Sequence, residues 1–234
     1  ATSLLEGWAA DGPREPDALG ASARARSASE RDLKLALAES GVGLAPSRVV
    51  ASADAAAAAQ QELGGVVVMK AHEPPLDHKA VHGLVRRGIG SPQEASATFG
   101  DFQAAATTAG LRVDTVLVEA QEHALGLELL VSCRRTRLGL ELLVGPGGST
   151  AELRATRALR VGPVAGERVS EMLEEIGAPA WSHGQAAVGI AAIQRLALAY
   201  GQDLDVLEVN PLLVLRDRVV ALDAKLRLDA TDDD

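Results

Sequence analysis

The sequence predicts an α+β (mixed α/β) fold in two lobes. Three observations carry this. The chain has 234 residues, enough for one large domain or for two lobes with a core each. Short apolar runs closed by glycine or charged residues read as strands, and Ala-rich stretches between them carry helical spacing. The two kinds of segment do not alternate strictly, so a purely parallel βαβ sheet is not indicated.

Residues 1–28 are rich in Ala, Gly, Pro, Ser and Arg without a sustained period, and read as a linker or tail. Ser29 offers an N-cap with Asp32 three residues on, and Leu33, Ala36 and Leu37 then form the apolar stripe of a helix stopping at Gly41. Residues 48–51 predict a strand, and Asp54 to Leu63 an Ala-rich helix ending at Gly64-Gly65. Val66-Val67-Val68-Met69 is a strand buried on both faces, with Lys70 at its end. Residues 71–83 form a loop with three His, two Pro and Lys79. Leu84 to Ile89 is a strand, Ser91-Pro92 opens a helix toward Ala109-Gly110, and Thr115 to Glu119 is a further buried strand. Two more strands, at 127–131 and 138–144, precede a glycine-rich turn from Gly145 to Thr150 and a short helical pattern. Helices at 165–177 and 183–199 lead to a terminal hairpin, Leu207 to Leu212 and Val219 to Lys225, joined at Arg216-Asp217-Arg218. An Asp-rich tail follows.

Composition narrows the chemistry. Only 2% of residues are aromatic and the net charge is -9, which argues against single-stranded nucleic acid, nucleic acid in general, or an anionic membrane as the main partner. Cys133 is alone, so no intrachain disulfide or thiolate cluster forms, and its strand position reads as core. The absence of a long apolar run and of a charged leader reads as cytoplasmic.

The hairpin draws a carboxylate, an amide and a second carboxylate out of an apolar setting. Glu208 and Asn210 are two apart and share a strand face, and Asp223 is expected opposite them on the returning strand. Hard oxygen ligands of this kind suit Mg²⁺ beside nucleotide phosphates; the alternative is polar residues flanking a turn. Lys70 reads either as a phosphate clamp or as a strand-end lysine whose ammonium reaches water. Asp77-His78-Lys79 lies in a Pro-bounded loop, where a histidine beside a lysine favours its neutral, nucleophilic form; a solvated His-Lys pair is the other reading. Glu119 and Glu128 sit on successive strands and suit adenine amino or ribose hydroxyl groups, or simply exposed positions. The 145–150 turn aims backbone N–H groups toward a helix start but lacks the Lys-Ser/Thr ending of a Walker loop. Arg154, Arg157 and Arg160 follow on one face, toward phosphate, a partner or solvent.

In order, Val67-Val68-Met69-Lys70, His78-Lys79, Leu117-Val118-Glu119, Gly126-Leu127-Glu128, Leu138-Gly139, Gly147-Gly148 with Glu152, Leu207-Glu208-Val209-Asn210-Pro211-Leu212 and Leu222-Asp223-Ala224 resemble one family. It is the ATP-grasp part, the beta subunit or domain, of the nucleoside-diphosphate-forming acyl-CoA synthetases, with a hairpin similar to that of succinyl-CoA synthetase's beta subunit. The resemblance implies a two-lobed ATP-grasp fold, with one lobe over 29–118, the other over 119–228, and an acidic tail at 229–234. It implies that ATP or ADP lies between lobes, with Lys70 and Lys79 at the phosphates, Glu119 at the adenine edge and Glu128 at the ribose. Asn210 and Asp223, with Glu208 beside them, would hold Mg²⁺, and His78 would carry a phosphoryl group as phosphohistidine. The implied activity is that of an acid–CoA ligase (ADP-forming). A CoA-binding alpha subunit or domain would be needed as partner, and a small carboxylic acid would be met through it.

The family continues His-Lys with Ser-Asp and a Gly-Gly pair, where this chain has Ala80-Val81 and His82-Gly83. That departure supports a second reading, a degenerate ATP-grasp module with a binding or regulatory role and no turnover. A third is an ATP-grasp ligase joining a carboxylate to another nucleophile.

Overall fold

A computed structural model describes residues 28–73, 79, 81–148 and 156–229. In chain order its elements are α1 (Glu30–Ala38), β1 (Ser47–Val50), α2 (Ala53–Leu63), β2 (Val67–Glu73), β3 (Val85–Ile89), α3 (Pro92–Thr108) and β4 (Thr115–Ala120). These are followed by β5 (Leu127–Thr136), β6 (Gly139–Pro146), β7 (Ala158–Val161), α4 (Glu167–Glu175), α5 (His183–Tyr200), β8 (Leu204–Val214), β9 (Val219–Ala221) and β10 (Ala224–Leu228). The mixed α/β architecture expected from the sequence is present, as five α-helices among the described residues and two antiparallel sheets.

The first three helices start where a serine can satisfy an orphan N–H. Ser29, Ser52 and Ser91 each accept from the backbone N–H three residues on, at Asp32, Ala55 and Glu94. At Ser29 the expected capping box closes, because the Ser29 N–H also donates to the Asp32 carboxylate at 3.2 Å. Pro92 occupies the first turn of α3, where its missing N–H costs nothing.

The chain divides into two units: Ala45–His123, and the described parts of Ala1–Leu44 with Ala124–Asp234. In the smaller unit the strands run β1-β4-β2-β3. Val67, Met69 and Ala71 of β2 and Val116 and Val118 of β4 join a core with Phe99 and Phe102 of α3. Strand alternation then puts Val68, Lys70 and His72 on the opposite face with Leu117 and Glu119. In the larger unit the order is β10-β8-β5-β6-β7, with β9 paired to β8. Leu129, Val131 and Cys133 of β5 and Leu207 and Val209 of β8 pack with Ile190 and Ile193 of α5, Met172 of α4, and Leu33 and Leu37 of α1. Each such buried side chain contributes roughly 1.5–3 kcal/mol. The same alternation leaves Glu128, Ser132, Glu208 and Asn210 on the face away from that core.

The units differ from the division expected at 29–118 and 119–228. The apolar stripe of α1 packs against β10 and α5 of the larger unit. Glu119 and Ala120 stay with the smaller unit because β4 continues to Ala120, between β1 and β2. Other expectations are corrected locally. Lys70 is internal to β2, which continues to Glu73, so it is not a strand-end lysine. Arg160 lies on strand β7 and pairs with Glu175 at 3.1 Å; it is not on a helix. Arg154 and Glu152 lie outside the described residues. The returning arm of the hairpin is two strands, β9 and β10, with Leu222 and Asp223 between them.

Cys133 is a core residue, as expected, and burial pushes its thiol up to about 12. A thiolate-seeking disulfide reagent at neutral pH is therefore expected to leave the folded chain unlabelled and to react in denaturant at a rate typical of a free cysteine. Fast labelling of folded protein would contradict the burial. Among the described residues no helix is long and apolar enough to cross a membrane.

Candidate functional site

In the smaller unit the register of β2 and β4 brings two charges together. Lys70 pairs with Leu117 and Val68 with Glu119, so Lys70 and Glu119 are diagonal neighbours on one face. Lys70 Nζ lies 3.4 Å from Glu119 Oε2, with side chains 9% and 5% exposed. A buried pair of this kind is placed by its neighbours, because desolvating either charge alone is expensive. Lys79 is half-buried, and its carbonyl accepts from the Leu84 N–H at 2.8 Å, which fixes the exit of the loop into β3. His78 lies outside the described residues.

In the larger unit a second group forms at one end of the sheet. The turn after β6 folds back on β5, and the Gly147 N–H donates to the Glu128 carbonyl at 2.8 Å. Gly148 then lies directly against the Glu128 carboxylate: a Cβ on it would fall 1.6 Å from Oε2. The Gly148 N–H donates to Asn210 Oδ1 at 3.0 Å. The turn thus ties Glu128 of β5 to Asn210 of β8. Pro211 follows Asn210 in a central strand, a place proline occupies only at irregularities. Here the ladder between β5 and β8 shifts register between Leu129 and Val131, facing this proline. The Asn210 N–H donates to the Asp223 carbonyl at 3.1 Å, which sets the exposed Asp223 across from Asn210. Glu208, two residues before Asn210, is half-buried between Ser132 of β5 and Lys225 of β10. Burial pushes the Glu208 carboxyl up from its ordinary range, and Lys225 partly offsets this.

Of the residues expected to act, Lys70 lies against Glu119, Glu128 and Asn210 both meet Gly148, the Asp223 carbonyl meets the Asn210 N–H, and Glu208 lies two residues before Asn210 on β8. Lys225, Ser132 and Lys34 (which donates to the Leu222 carbonyl) were not among the expected site residues. The signal for Lys225 was its place two residues after Asp223 in the same hairpin.

The donor set bears on a metal. Among the described residues no cluster of three or more His, Cys, Asp or Glu side chains could hold an ion unaided. Asn210 Oδ1 keeps a lone pair beyond the one given to Gly148, and Glu208 is a partly desolvated carboxyl that a cation would favour ionised. Few protein oxygens, with the rest of the shell left to phosphate and water, is the pattern that fits Mg²⁺.

A family profile described as the ATP-grasp domain matches residues 20–228. The chain belongs to the ATP-grasp family. Among its relatives, the beta subunit of an ADP-forming acetate–CoA ligase I from Pyrococcus furiosus is 27% identical over 178 residues, 71% of this chain and 77% of that one. A trans-feruloyl-CoA synthase from an unknown prokaryotic organism is 28% identical over 203 residues. That match takes in 81% of this chain but 29% of the synthase, so this ATP-grasp chain corresponds to a minor part of the longer relative. The solved acetyl-coenzyme A synthetase 1 of Candidatus Korarchaeum cryptofilum, in complex with coenzyme A and Ca-AMPCP, superposes with a TM-score of 0.74. Its identity is 20%, over 86% of this chain and 93% of that one, a likeness of fold.

Proposed function

We propose that this chain is the nucleotide-binding ATP-grasp subunit or domain of an ADP-forming acid–CoA ligase. It would work with a CoA-binding alpha subunit or domain. The observation that carries the reading is the Gly148 N–H bond to Asn210 Oδ1. It gathers a ribose-side carboxylate, a backbone N–H and a metal-side amide at one end of a sheet, in a chain of this family.

In the reaction an acyl-CoA, phosphate and ADP exchange with the free acid, CoA and ATP, through an acyl phosphate. The His78 imidazole takes the phosphoryl group from the acyl phosphate as the carboxylate leaves. It then gives that group to the terminal oxygen of ADP, and returns to neutral imidazole. Lys70 and Lys79 balance phosphate charge, and Glu119 orients Lys70 while accepting from the adenine amino group. Glu128 accepts from ribose hydroxyls. Asn210, Asp223 and Glu208 would hold Mg²⁺, which supplies charge neutralisation on the phosphates. Rate acceleration then comes from positioning and charge compensation, as phosphoryl transfer requires.

Calorimetry of ADP with Mg²⁺ tests this. Asp223→Ala is expected to weaken binding about tenfold or more, equal to about 1.4 kcal/mol. Equal affinity in wild type and variant would remove the metal role from Asp223. An acid-labile, base-stable label from γ-labelled ATP, lost in His78→Ala, is the expected mark of the relay. The second reading, a module that binds nucleotide without turnover, is favoured by Ala80-Val81 and His82-Gly83 following His78-Lys79. It predicts binding with no such label even when the alpha partner is supplied.

A further inference from the structure

Proline in a central strand leaves one ladder position short of a donor. Leu212 pairs with Ala221, so the register places Pro211 opposite Leu222. The Leu222 N–H donates to the Pro211 carbonyl at 3.1 Å. In an antiparallel pair the opposite N–H would return the bond to the Leu222 carbonyl, but Pro211 has none. A side chain from 188 residues earlier donates there instead: Lys34 Nζ lies 3.2 Å from Leu222 O. Lys34 is 3% exposed, an unusual place for an ammonium. It is neutralised one turn back on α1 by Glu30, at 3.0 Å. The Leu222 carbonyl belongs to the peptide that joins Leu222 to Asp223, and the Asp223 carbonyl in turn receives the Asn210 N–H.

We propose that Lys34 is a positioning residue for the metal side of this site. Its ammonium, held by Glu30, fixes the rotation of the Leu222–Asp223 peptide and so the direction in which Asp223 leaves the sheet. Lys34 touches neither nucleotide nor metal in this account; it acts through Asp223. The inference rests on the reading of Asn210 and Asp223 as metal-side residues. It adds that the buried Glu30–Lys34 pair serves Mg²⁺-dependent binding and not only the packing of α1.

The test is the full chain, with ADP as probe, titrated in Mg²⁺ and in EDTA. The variants are Lys34→Met and the double variant Glu30→Gln with Lys34→Met, which leaves no unpaired buried charge. Wild type should bind ADP more tightly with Mg²⁺. Either folded variant should lose at least tenfold of that enhancement while its affinity in EDTA stays within twofold of wild type. A merely structural role would not split the two affinities. A folded double variant that keeps the full Mg²⁺ enhancement overturns the proposal. If neither variant folds, the ¹⁵N signal of the Lys34 ammonium in the unmutated chain decides. A shift on saturation with Mg²⁺ and ADP supports the coupling, and an unmoved signal overturns it. Absence of any Mg²⁺ enhancement in wild type, or its persistence in Asp223→Ala, instead overturns the underlying reading and the proposal with it.

Discussion

Lys70→Met is expected to lower unfolding free energy by about 3–5 kcal/mol, because it removes the buried ammonium that lies against the buried Glu119 carboxylate. The pair is 3.4 Å apart and almost wholly shielded from water, so little solvent is at hand to compensate. The same variant is expected to lose nucleotide binding, but that loss alone would not separate function from folding. Adding Glu119→Leu does so. With both charges gone, a well-packed apolar pair should recover most of the stability, since buried ion pairs replaced as a unit cost little or nothing. ADP affinity should stay at least about tenfold below wild type in the double variant, a difference of about 1.4 kcal/mol. Urea denaturation and calorimetry read the two effects independently. A stable double variant that binds ADP like wild type would reduce Lys70 and Glu119 to structural residues.

The adjacent glycines Gly147 and Gly148 are expected to fail in different ways when changed to alanine. Gly147 sits over the β5 backbone: a Cβ there would come 2.4 Å from the Leu129 carbonyl carbon and 2.7 Å from the Leu130 nitrogen. Those atoms belong to a central strand and cannot step aside, so Gly147→Ala should cost about 3 kcal/mol by overpacking. At Gly148 the obstacle is the tip of a side chain. Its Cβ would displace the Glu128 carboxylate, and its φ of +67° adds about 1–2 kcal/mol of backbone strain for any L residue. Gly148→Ala should therefore be the milder change in stability and the more harmful for nucleotide affinity, with a loss of tenfold or more. The reverse ranking in melting temperature and calorimetry would mean that Glu128 does not serve the ligand.

Much of this could be read in the sequence, for identifiable reasons. The strands that carry Lys70, Glu119 and Glu128 announce themselves because burial on one face, or both, leaves continuous or alternating Val and Leu. The serine caps at Ser29 and Ser91 gave two helix starts, because capping chemistry is local; the third cap, Ser52, was not read. What escaped depends on partners distant in the chain. β7 was missed because a short edge strand with Leu159 51% and Val161 42% exposed on either side of Arg160 has no buried pattern to display. Lys70 and Glu119 could each be singled out, but their pairing follows from the register of β2 on β4, which no single strand encodes. The break of the returning arm at Leu222 and Asp223 lies across from Pro211, and only the pairing of β8 with β9 and β10 makes that relation visible. The place of α1 was misjudged for the same reason. An amphipathic helix declares that it needs a cover, not which sheet supplies it.

That helix has a consequence for how the chain is made. Residues 30–38 leave the ribosome well before β10, yet α1 packs against that strand, at the far end of the described residues. At roughly 5–20 residues per second, the 188-residue separation of Lys34 and Leu222 takes about 10–40 s to translate. Through that interval the nascent segment carries an apolar stripe with no sheet to bury it, while Ala45–His123 already holds all the strands of its own four-stranded sheet. Synthesis should therefore yield a folded insert first, flanked by an adhesive upstream helix awaiting its partner. Trigger factor or a similar holdase crosslinked to stalled chains should contact residues 30–38 at every length short of β10, and release them once it emerges.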